Sequence, residues 1–243
     1  MENITTKIKN YFKDLWFEEK EHRYTYKDKV VSISVSGLIK RHSNEFNSST
    51  ISLAISRRGQ YSQQEVLAQW EEKAEEGKQK GNDAHNFAEK YAYDRTLLPV
   101  NNYQKAVVAF YTDLPEHIQL VEVELKMYNK QYKFAGTCDI LFYNTKTQKY
   151  IIGDFKTNID LFKNYKNQKL KFPFSFLLDC SFGKYELQLS YYQLLLEQLN
   201  IEVEKRKIIH LLPDGTYIIY DTQDLTQLLT SELDEHEHSR NIN

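Results

Sequence analysis

The sequence predicts an α/β domain in which helices flank a central mixed β-sheet. Two adjacent apolar runs, 134–143 and 149–156, are rich in β-branched and aromatic residues and are joined by a short polar turn. Residues 118–128 alternate apolar with polar side chains, which is typical of a half-buried strand. Apolar residues recur with helical spacing at 63–93 and 184–200. These patterns together predict neighbouring strands covered by helices.

The N-terminal part, residues 1–62, is predicted to be a β-rich extension. The alternation at 14–35 favours two or three short strands, with a turn at 27–29. Ser36 is predicted to cap a short helix that begins near Gly37. The remaining residues of this part are polar and show no clear pattern.

The helical region at 63–93 contains two glycines, Gly77 and Gly81. Glycine weakens a helix interior, so this region predicts two helices that meet near these glycines. The second of them carries His85 and Glu89, which are four residues apart and therefore share a face.

The C-terminal half continues the alternation of helices and strands. A hairpin is its clearest local signal, because Pro213-Asp-Gly215 lies between two β-rich runs. The acidic tail at 232–238 contains two histidines and is expected to be a frayed, solvated end. The predicted elements are helices at 104–114 and 184–200, strands at 207–212 and 216–220, and a final helix from about Leu225.

Length and composition favour one intracellular domain. The chain has 243 residues, of which 41% are hydrophobic, so it can bury a core. No apolar run approaches the ~20 residues that cross a bilayer, and residues 1–21 lack the apolar centre of a signal peptide. Cys138 and Cys180 are too few for a disulfide framework or a four-cysteine metal site. We expect a single domain with an extension at 1–62, a core at 63–222 and a helix and tail at 223–243.

Because the net charge is −2, positive charge that binds nucleic acid must be concentrated on one part of the protein surface. The most basic stretch is 156–172, where aromatic residues that could stack on bases are interleaved with lysines. Arg57-Arg58 is a second basic site. An ordinary solvated surface is the alternative for both. The candidate DNA contacts are Arg57, Arg58, Lys163, Lys166, Lys169 and Lys171.

Carboxylates lie among apolar neighbours in both central runs. Asp139 is in the first run, and Asp154 and Lys156 are in the second, two residues apart and therefore on one face. Because an unpaired buried charge is costly, these residues need partners. One explanation is an internal ion pair. The other is a metal site in which the two aspartates hold Mg²⁺ or Mn²⁺ and the lysine lies beside the attacking water.

The order of five short motifs is more specific than any one of them. It resembles the PD-(D/E)xK nuclease superfamily, in particular its RecB-type exonuclease branch, and within that branch the phage and mitochondrial genome-maintenance exonucleases. The resemblance covers about residues 20–200 and extends to His22-x-Tyr24 and Ser32-Ile-Ser-Val-Ser36. The motifs are Gly81-x-x-x-His85, Glu124, Gly136-Thr-x-Asp139, Asp154-x-Lys156-Thr157 and Gln188-x-x-x-Tyr192.

The resemblance implies a restriction-endonuclease-like core and a role for each matching residue. Lys156 would position and polarise the nucleophilic water. One or two Mg²⁺ or Mn²⁺ ions would be held. The iron–sulfur cluster of some relatives is not expected, because it needs four cysteines and this chain has two. The implied metal ligands are His85, Asp139, Asp154 and the carbonyl of Phe155. The implied supporting residues are Glu89, Glu124, Gln188 and Tyr192.

The function implied by the resemblance is a metal-dependent deoxyribonuclease. An exonuclease acting on DNA ends or single strands is favoured, in DNA repair, recombination or phage DNA processing. It would work in the cytoplasm of a bacterial or phage-infected cell, with no membrane partner, and its partners could include phage or host recombination proteins. Two alternatives stay open. One is an endonuclease of the same fold, of the resolvase or restriction type. The other is a catalytically retired DNA-binding or interaction module.

Overall fold

The described residues, 4–21 and 23–241, form seven helices and nine strands in this computed structural model. The helices are α1 (Ile4–Phe12), α2 (Val35–His42), α3 (Ser48–Ser56), α4 (Gln63–Tyr93), α5 (Asn102–Thr112), α6 (Ser181–Glu197) and α7 (Thr226–Asn241). The strands are β1 (Leu15–Glu18), β2 (Arg23–Tyr26), β3 (Lys29–Val30), β4 (Ile33–Ser34), β5 (Ile118–Asn129), β6 (Phe134–Asn144), β7 (Lys149–Lys156), β8 (Val203–Leu211) and β9 (Tyr217–Asp221).

The central sheet is mixed and has six strands. Its order is β4-β6-β7-β8-β9, and β5 pairs with β6. The β5–β6, β6–β7 and β8–β9 pairs are antiparallel, whereas β4–β6 and β7–β8 are parallel. Strands β1, β2 and β3 form a separate small antiparallel sheet. The predicted mixed sheet flanked by helices is therefore confirmed.

Each face of the central sheet buries its own apolar core. On one face, α6 packs Leu187 and Leu195 against Ile152 of β7. On the other face, α4 and α5 cover the sheet through Ala88 and Phe110. Burial of each large apolar side chain contributes about 1.5–3 kcal/mol, so these two layers fix the helices on the sheet. The sheet is thus buried on both sides.

The central strands, the hairpin and the helices around them lie close to their predicted positions. Strands β5, β6 and β7 match the predictions within one residue. The β8–β9 hairpin turns through the predicted Pro213–Gly215 segment. Helices α5 and α6 begin two or three residues before their predicted starts.

The region predicted as two helices is one helix of 31 residues, α4. Each glycine costs about 1 kcal/mol in a helix interior, but strong helix formers surround Gly77 and Gly81. The start is fixed by a capping box between Ser62 and Glu65. Although α4 is long, no helix in the described part of the chain is long and apolar enough to cross a membrane.

The extension at 1–62 is less β-rich than predicted, because it contains α1 and α3 in addition to the predicted helix α2. The N-cap of α2 is Ser34 and not Ser36, since the Gly37 amide donates to Ser34 Oγ at 3.2 Å. Asn47 caps α3, a helix that the polar sequence did not reveal. The two-residue strand β4 joins the central sheet, so the extension and the core share that sheet.

The acidic tail is helical and does not fray at its first residues. Glu232, in α7, is buried and forms ion pairs with His42 at 3.4 Å and His236 at 3.0 Å. The prediction of a solvated end is therefore wrong for this part of α7. Sequence spacing gave no sign that Glu232 would meet α2, which is far away along the chain.

Candidate metal centre

The central sheet opens between β6 and β7. Their pairing runs from Asn144–Lys149 to Ile140–Gly153 and stops there. Beyond this point, β4 pairs with the start of β6, at Phe134 and Ala135. Asp139 lies where the two strands separate, and its Oδ2 accepts a hydrogen bond from the Phe155 amide at 2.8 Å. At the opening, the Phe155 amide is therefore hydrogen-bonded to a side chain rather than to the backbone of β6.

Three side chains converge at this opening. His85 of α4, Glu124 of β5 and Asp139 of β6 each offer a ligand atom, and these atoms lie within 4.8 Å of one another. Two carboxylates and an imidazole at this separation match the donor set of a divalent metal ion. We refer to these three residues as the metal cluster.

The backbone at Glu124 is unusual for a strand. Its φ of 48° lies in the left-handed region, which is costly for a residue with a side chain. Its neighbours on β5 consequently face opposite sides of the sheet: Val123 belongs to the α4–α5 core and Leu125 to the α6 core. The strain occurs at the residue that joins the metal cluster.

The imidazole of His85 is held between two acceptors. Its Nε2 lies 2.8 Å from the Phe155 carbonyl oxygen, and its Nδ1 lies 3.2 Å from Asp139 Oδ2. Because a carbonyl can only accept, Nε2 carries the hydrogen in this arrangement. In a neutral ring, Nδ1 then directs a lone pair at a carboxylate. A cation bound by both atoms would relieve this repulsion, so the residues fit a metal ion.

Negative charge is concentrated around the cluster. Burial, reinforced by the nearby carboxylates of Asp139 and Glu89, raises the pKa of Glu124 to about 8. Burial and the charge of Asp139 raise the pKa of Asp154 to about 6, despite the opposing effect of Lys156. Raised carboxyl pKa values indicate that the site lacks positive charge, which a divalent cation would supply.

Asp154 and Lys156 project from the same face of β7, as predicted, and form an ion pair. The side chain of Asp154 is fully buried, and its Oδ1 makes no hydrogen bond. Burial lowers the pKa of Lys156, but the carboxylates of Asp154 and Asp139 outweigh this effect and raise it overall. Lys156 Nζ also lies 4.5 Å from the ring centre of Tyr185. The lysine is therefore held as a cation.

The predicted ligand set is only partly assembled. His85 and Asp139 lie in the metal cluster, and the Phe155 carbonyl contacts His85. Asp154 is outside the cluster, because its carboxylate is directed at Lys156. Glu124, which the sequence suggested only as a supporting residue, lies in the metal cluster with them.

A solvent-facing cavity of about 500 Å³ adjoins the metal cluster. It lies between α4, the strands β1 and β2, and the start of α2. The predicted supporting residues Glu89, Gln188 and Tyr192 line it. Asp154 is fully buried and Lys156 is nearly buried, and neither of them lines the cavity.

The Gln188–Tyr192 pair is formed as its spacing predicts. Gln188 Nε2 donates to Tyr192 Oη at 2.7 Å, one helical turn away. The Tyr192 ring packs over Gly136, where an added Cβ would lie 2.9 Å from Tyr192 Cε1 and 2.7 Å from Val35 Cγ2. The glycine of the Gly136-Thr-x-Asp139 motif therefore makes room for this tyrosine and for α2.

Other predicted residues lie away from the cavity. Arg57 and Arg58 are exposed at the end of α3, and four lysines are exposed on the segment after β7. His22 lies outside the described residues. Tyr24, in contrast, lines the cavity and contacts the Gly136-Thr-x-Asp139 motif, because Tyr24 Oη and Thr137 Oγ1 are 2.8 Å apart. The four lysines are Lys163, Lys166, Lys169 and Lys171.

Three residues around Lys156 were not identified from the sequence. Tyr185 Oη donates to Asn158 Oδ1 at 2.6 Å, and His210 Nε2 donates to the Asn158 carbonyl, also at 2.6 Å. Together they fix the chain just after β7. Only Tyr185 carried a usable signal, since it precedes Gln188 by three residues on the same helix. His210 belongs to β8, and its role depends on the parallel β7–β8 pairing.

A scan against protein-family models finds no match for this chain, and a search of curated proteins finds no similar sequence. The metal cluster and its neighbours Asp154 and Lys156 are therefore the features from which a function can be inferred.

Proposed function

We propose that the protein is a metal-dependent deoxyribonuclease with a restriction-endonuclease-like core. The observation that carries the proposal is the metal cluster, His85, Glu124 and Asp139, at the opening of a mixed sheet. A buried lysine cation lies on the adjoining strand. Phosphodiester hydrolysis needs positive charge of both kinds, a metal ion and a fixed donor, near one phosphate.

The donor set favours a metal of intermediate hardness. Carboxylates suit Mg²⁺ and Mn²⁺, whereas an imidazole ligand is less suited to Mg²⁺ than to a transition metal. Mn²⁺ therefore fits the cluster better than Mg²⁺. When bound, such an ion would lower the pKa of a coordinated water and neutralise charge on the phosphate.

The residues of the chain divide the remaining work. His85, Glu124 and Asp139 would hold the metal, and the Nε2 of His85 also contacts the Phe155 carbonyl. Despite its burial, the carboxylates of Asp154 and Asp139 raise the pKa of Lys156, so it is a cation in the metal-free protein. As a fixed positive charge on the strand beside the opening, Lys156 would stabilise the developing negative charge on the phosphate oxygens.

An exonuclease is the favoured form of this activity, on the basis of the motif resemblance at His85 and at Gln188-x-x-x-Tyr192. The test is hydrolysis of end-labelled linear DNA and of covalently closed circles in Mn²⁺, Mg²⁺ or EDTA. Asp139→Asn replaces a charged ligand with a neutral side chain of nearly the same size. Glu116→Gln is the matched control, because Glu116 is an exposed acid on the loop before β5.

We expect linear DNA to be degraded in Mn²⁺, closed circles to be spared, and EDTA or Asp139→Asn to abolish cleavage. Glu116→Gln should cleave like the unmodified protein. Equal cleavage of closed double-stranded circles would favour an endonuclease. DNA binding without cleavage under every metal condition would favour a catalytically retired module.

A further inference from the structure

The segment that follows Lys156 is a long connection, residues 157–180, which we call the 157–180 loop. It leads from β7 directly to α6, the helix that carries Gln188 and Tyr192. Its backbone is anchored: Leu161, Leu170 and Phe174 are buried in the core. The Leu170 amide donates to the Leu177 carbonyl at 3.0 Å, and the Lys171 amide donates to the His42 carbonyl at 2.7 Å. The loop therefore has a defined shape.

Large aromatic side chains of this anchored loop nevertheless face solvent. Phe172 is 83% exposed, Tyr165 is 60% exposed and Phe176 is 52% exposed. The neighbouring Phe174 is fully buried, so the loop buries one aromatic ring and leaves those on either side of it in solvent. Exposed apolar groups on an ordered segment indicate an interaction surface rather than part of the core.

Four lysines, Lys163, Lys166, Lys169 and Lys171, are interleaved with these rings. The ion pairs of the described residues involve other basic groups. The loop's own acids are engaged elsewhere. Asp160 accepts hydrogen bonds from the backbone amides of Phe162 and Lys163. Asp179 binds Asn44 and Lys184, so the positive charge of the four lysines is not neutralised within the loop.

We propose that the 157–180 loop is a platform for single-stranded DNA, with bases stacking on Tyr165, Phe172 and Phe176 and phosphates contacting the lysines. Exposed rings beside unneutralised cations complement a strand that offers both base faces and phosphates. A duplex fits less well, because its bases are already stacked. The part this platform plays in catalysis rests on the proposed function, since the loop connects Lys156 to α6.

The test measures binding without cleavage. Fluorescence anisotropy in EDTA compares a labelled oligothymidylate with a labelled duplex, for the unmodified protein, Tyr165→Ala and Phe172→Ala. Leu98→Ala is the control, because Leu98 is as exposed as Phe172 but lies between α4 and α5. Each aromatic variant should weaken single-strand binding about tenfold. Duplex binding, and all binding by the control, should change little.

A conservative substitution separates stacking from general apolar contact. Phe172→Trp should retain single-strand affinity, whereas Phe172→Leu should lose it as Phe172→Ala does.

Replacing Lys163, Lys166 and Lys171 together with glutamine should lower affinity and reduce the salt dependence of binding, because each phosphate contact releases counterions. The exposed Lys146, in the β6–β7 turn, provides the control substitution Lys146→Gln.

Unchanged single-strand affinity in both aromatic variants would overturn the proposal. A change in oligomeric state caused by Phe172→Ala would overturn it as well, in favour of contact with a second copy of the chain. The result is distinct from the test of nuclease activity. If the aromatic variants weaken single-strand binding but no metal supports cleavage, the binding platform is supported and the nuclease is rejected. If the protein cleaves DNA but the aromatic variants bind single strands normally, the nuclease is supported and the platform is rejected.

Discussion

His85 Nδ1 lies 3.2 Å from Asp139 Oδ2, while Nε2 of the same ring contacts the carbonyl oxygen of Phe155 at 2.8 Å. The ring therefore connects α4 to both edges of the opening in the sheet. This contact places an imidazole beside a carboxylate that also accepts from the Phe155 amide. A bound cation would be the natural partner for the two facing acceptor atoms.

The first prediction concerns metal affinity. Asp139→Asn should weaken Mn²⁺ binding by more than about tenfold, because it removes a charged ligand from the metal cluster. Asparagine can still accept from the Phe155 amide, so the fold should be retained. Isothermal titration calorimetry measures the change, with Glu116→Gln as the control. Unaltered Mn²⁺ affinity in Asp139→Asn would exclude the cluster as the metal site.

The second prediction separates catalysis from structure at Lys156. Lys156→Ala should still bind Mn²⁺ but lose turnover by about a hundredfold or more, as when one transition-state donor is removed. Single-turnover rates and metal affinity are measured on the same variant. If Lys156→Ala lowers only the melting temperature and the folded fraction cleaves normally, the Asp154–Lys156 pair is structural.

Asp154 gives the complementary expectation. Its carboxylate is fully buried against Lys156, so Asp154→Ala leaves a nearly buried cation without its partner. Breaking such a pair costs about 3–5 kcal/mol. Thermal unfolding should therefore show a larger loss of stability for Asp154→Ala than for Asp139→Asn. Equal stability of the two variants would argue that Asp154 is not committed to Lys156.

The third prediction concerns pH and the stability of the metal-free protein. The pKa of Glu124 is raised to about 8 from an ordinary value of 4.5. Between these values the folded state binds more protons than the unfolded state, so the contribution of Glu124 to stability falls as pH rises from about 4.5 and is lost once the pH exceeds about 8. Glu124→Gln should flatten this fall in melting temperatures recorded in EDTA. Identical pH profiles for the two proteins would contradict the assigned environment of Glu124.

The fourth prediction compares two glycines. Gly136→Ala should destabilise the protein by about 1–3 kcal/mol, because the new Cβ would overlap Val35 and Tyr192. Gly77→Ala should stabilise it by about 0.5–1 kcal/mol, because nothing lies within 4 Å of the added atom in α4. Chemical denaturation measures both changes. A stabilising Gly136→Ala would mean that Tyr192 does not pack over the motif.

The parts of the fold that the sequence predicted best are those fixed by local patterns. Alternating apolar residues identified β5, and Pro213-Asp-Gly215 identified the β8–β9 turn. The sequence did not predict that α4 continues through Gly77. Strong helix formers on both sides of this glycine outweigh its cost in a helix interior. Helix α3 was missed because its stability depends on the cap at Asn47 and on packing against α4.

The site was predictable in its membership but not in its arrangement. Spacing placed Asp154 and Lys156 on one face, and the structure pairs them. Spacing could not reveal that Glu124 adopts a left-handed φ and lies opposite Asp139, between the paired positions Val123–Ile140 and Leu125–Cys138. The position of Glu124 beside Asp139 therefore depends on a backbone irregularity that spacing alone does not predict.

The role of the metal cluster is tested most directly by the initial rate of hydrolysis of end-labelled linear DNA in Mn²⁺, measured in parallel for the unmodified protein, Asp139→Asn and Glu116→Gln. We expect cleavage by the unmodified protein and Glu116→Gln, and loss of cleavage in EDTA and in Asp139→Asn. Cleavage by Asp139→Asn at the unmodified rate, or no Mn²⁺-dependent cleavage by the unmodified protein, would exclude the proposed metal-dependent nuclease.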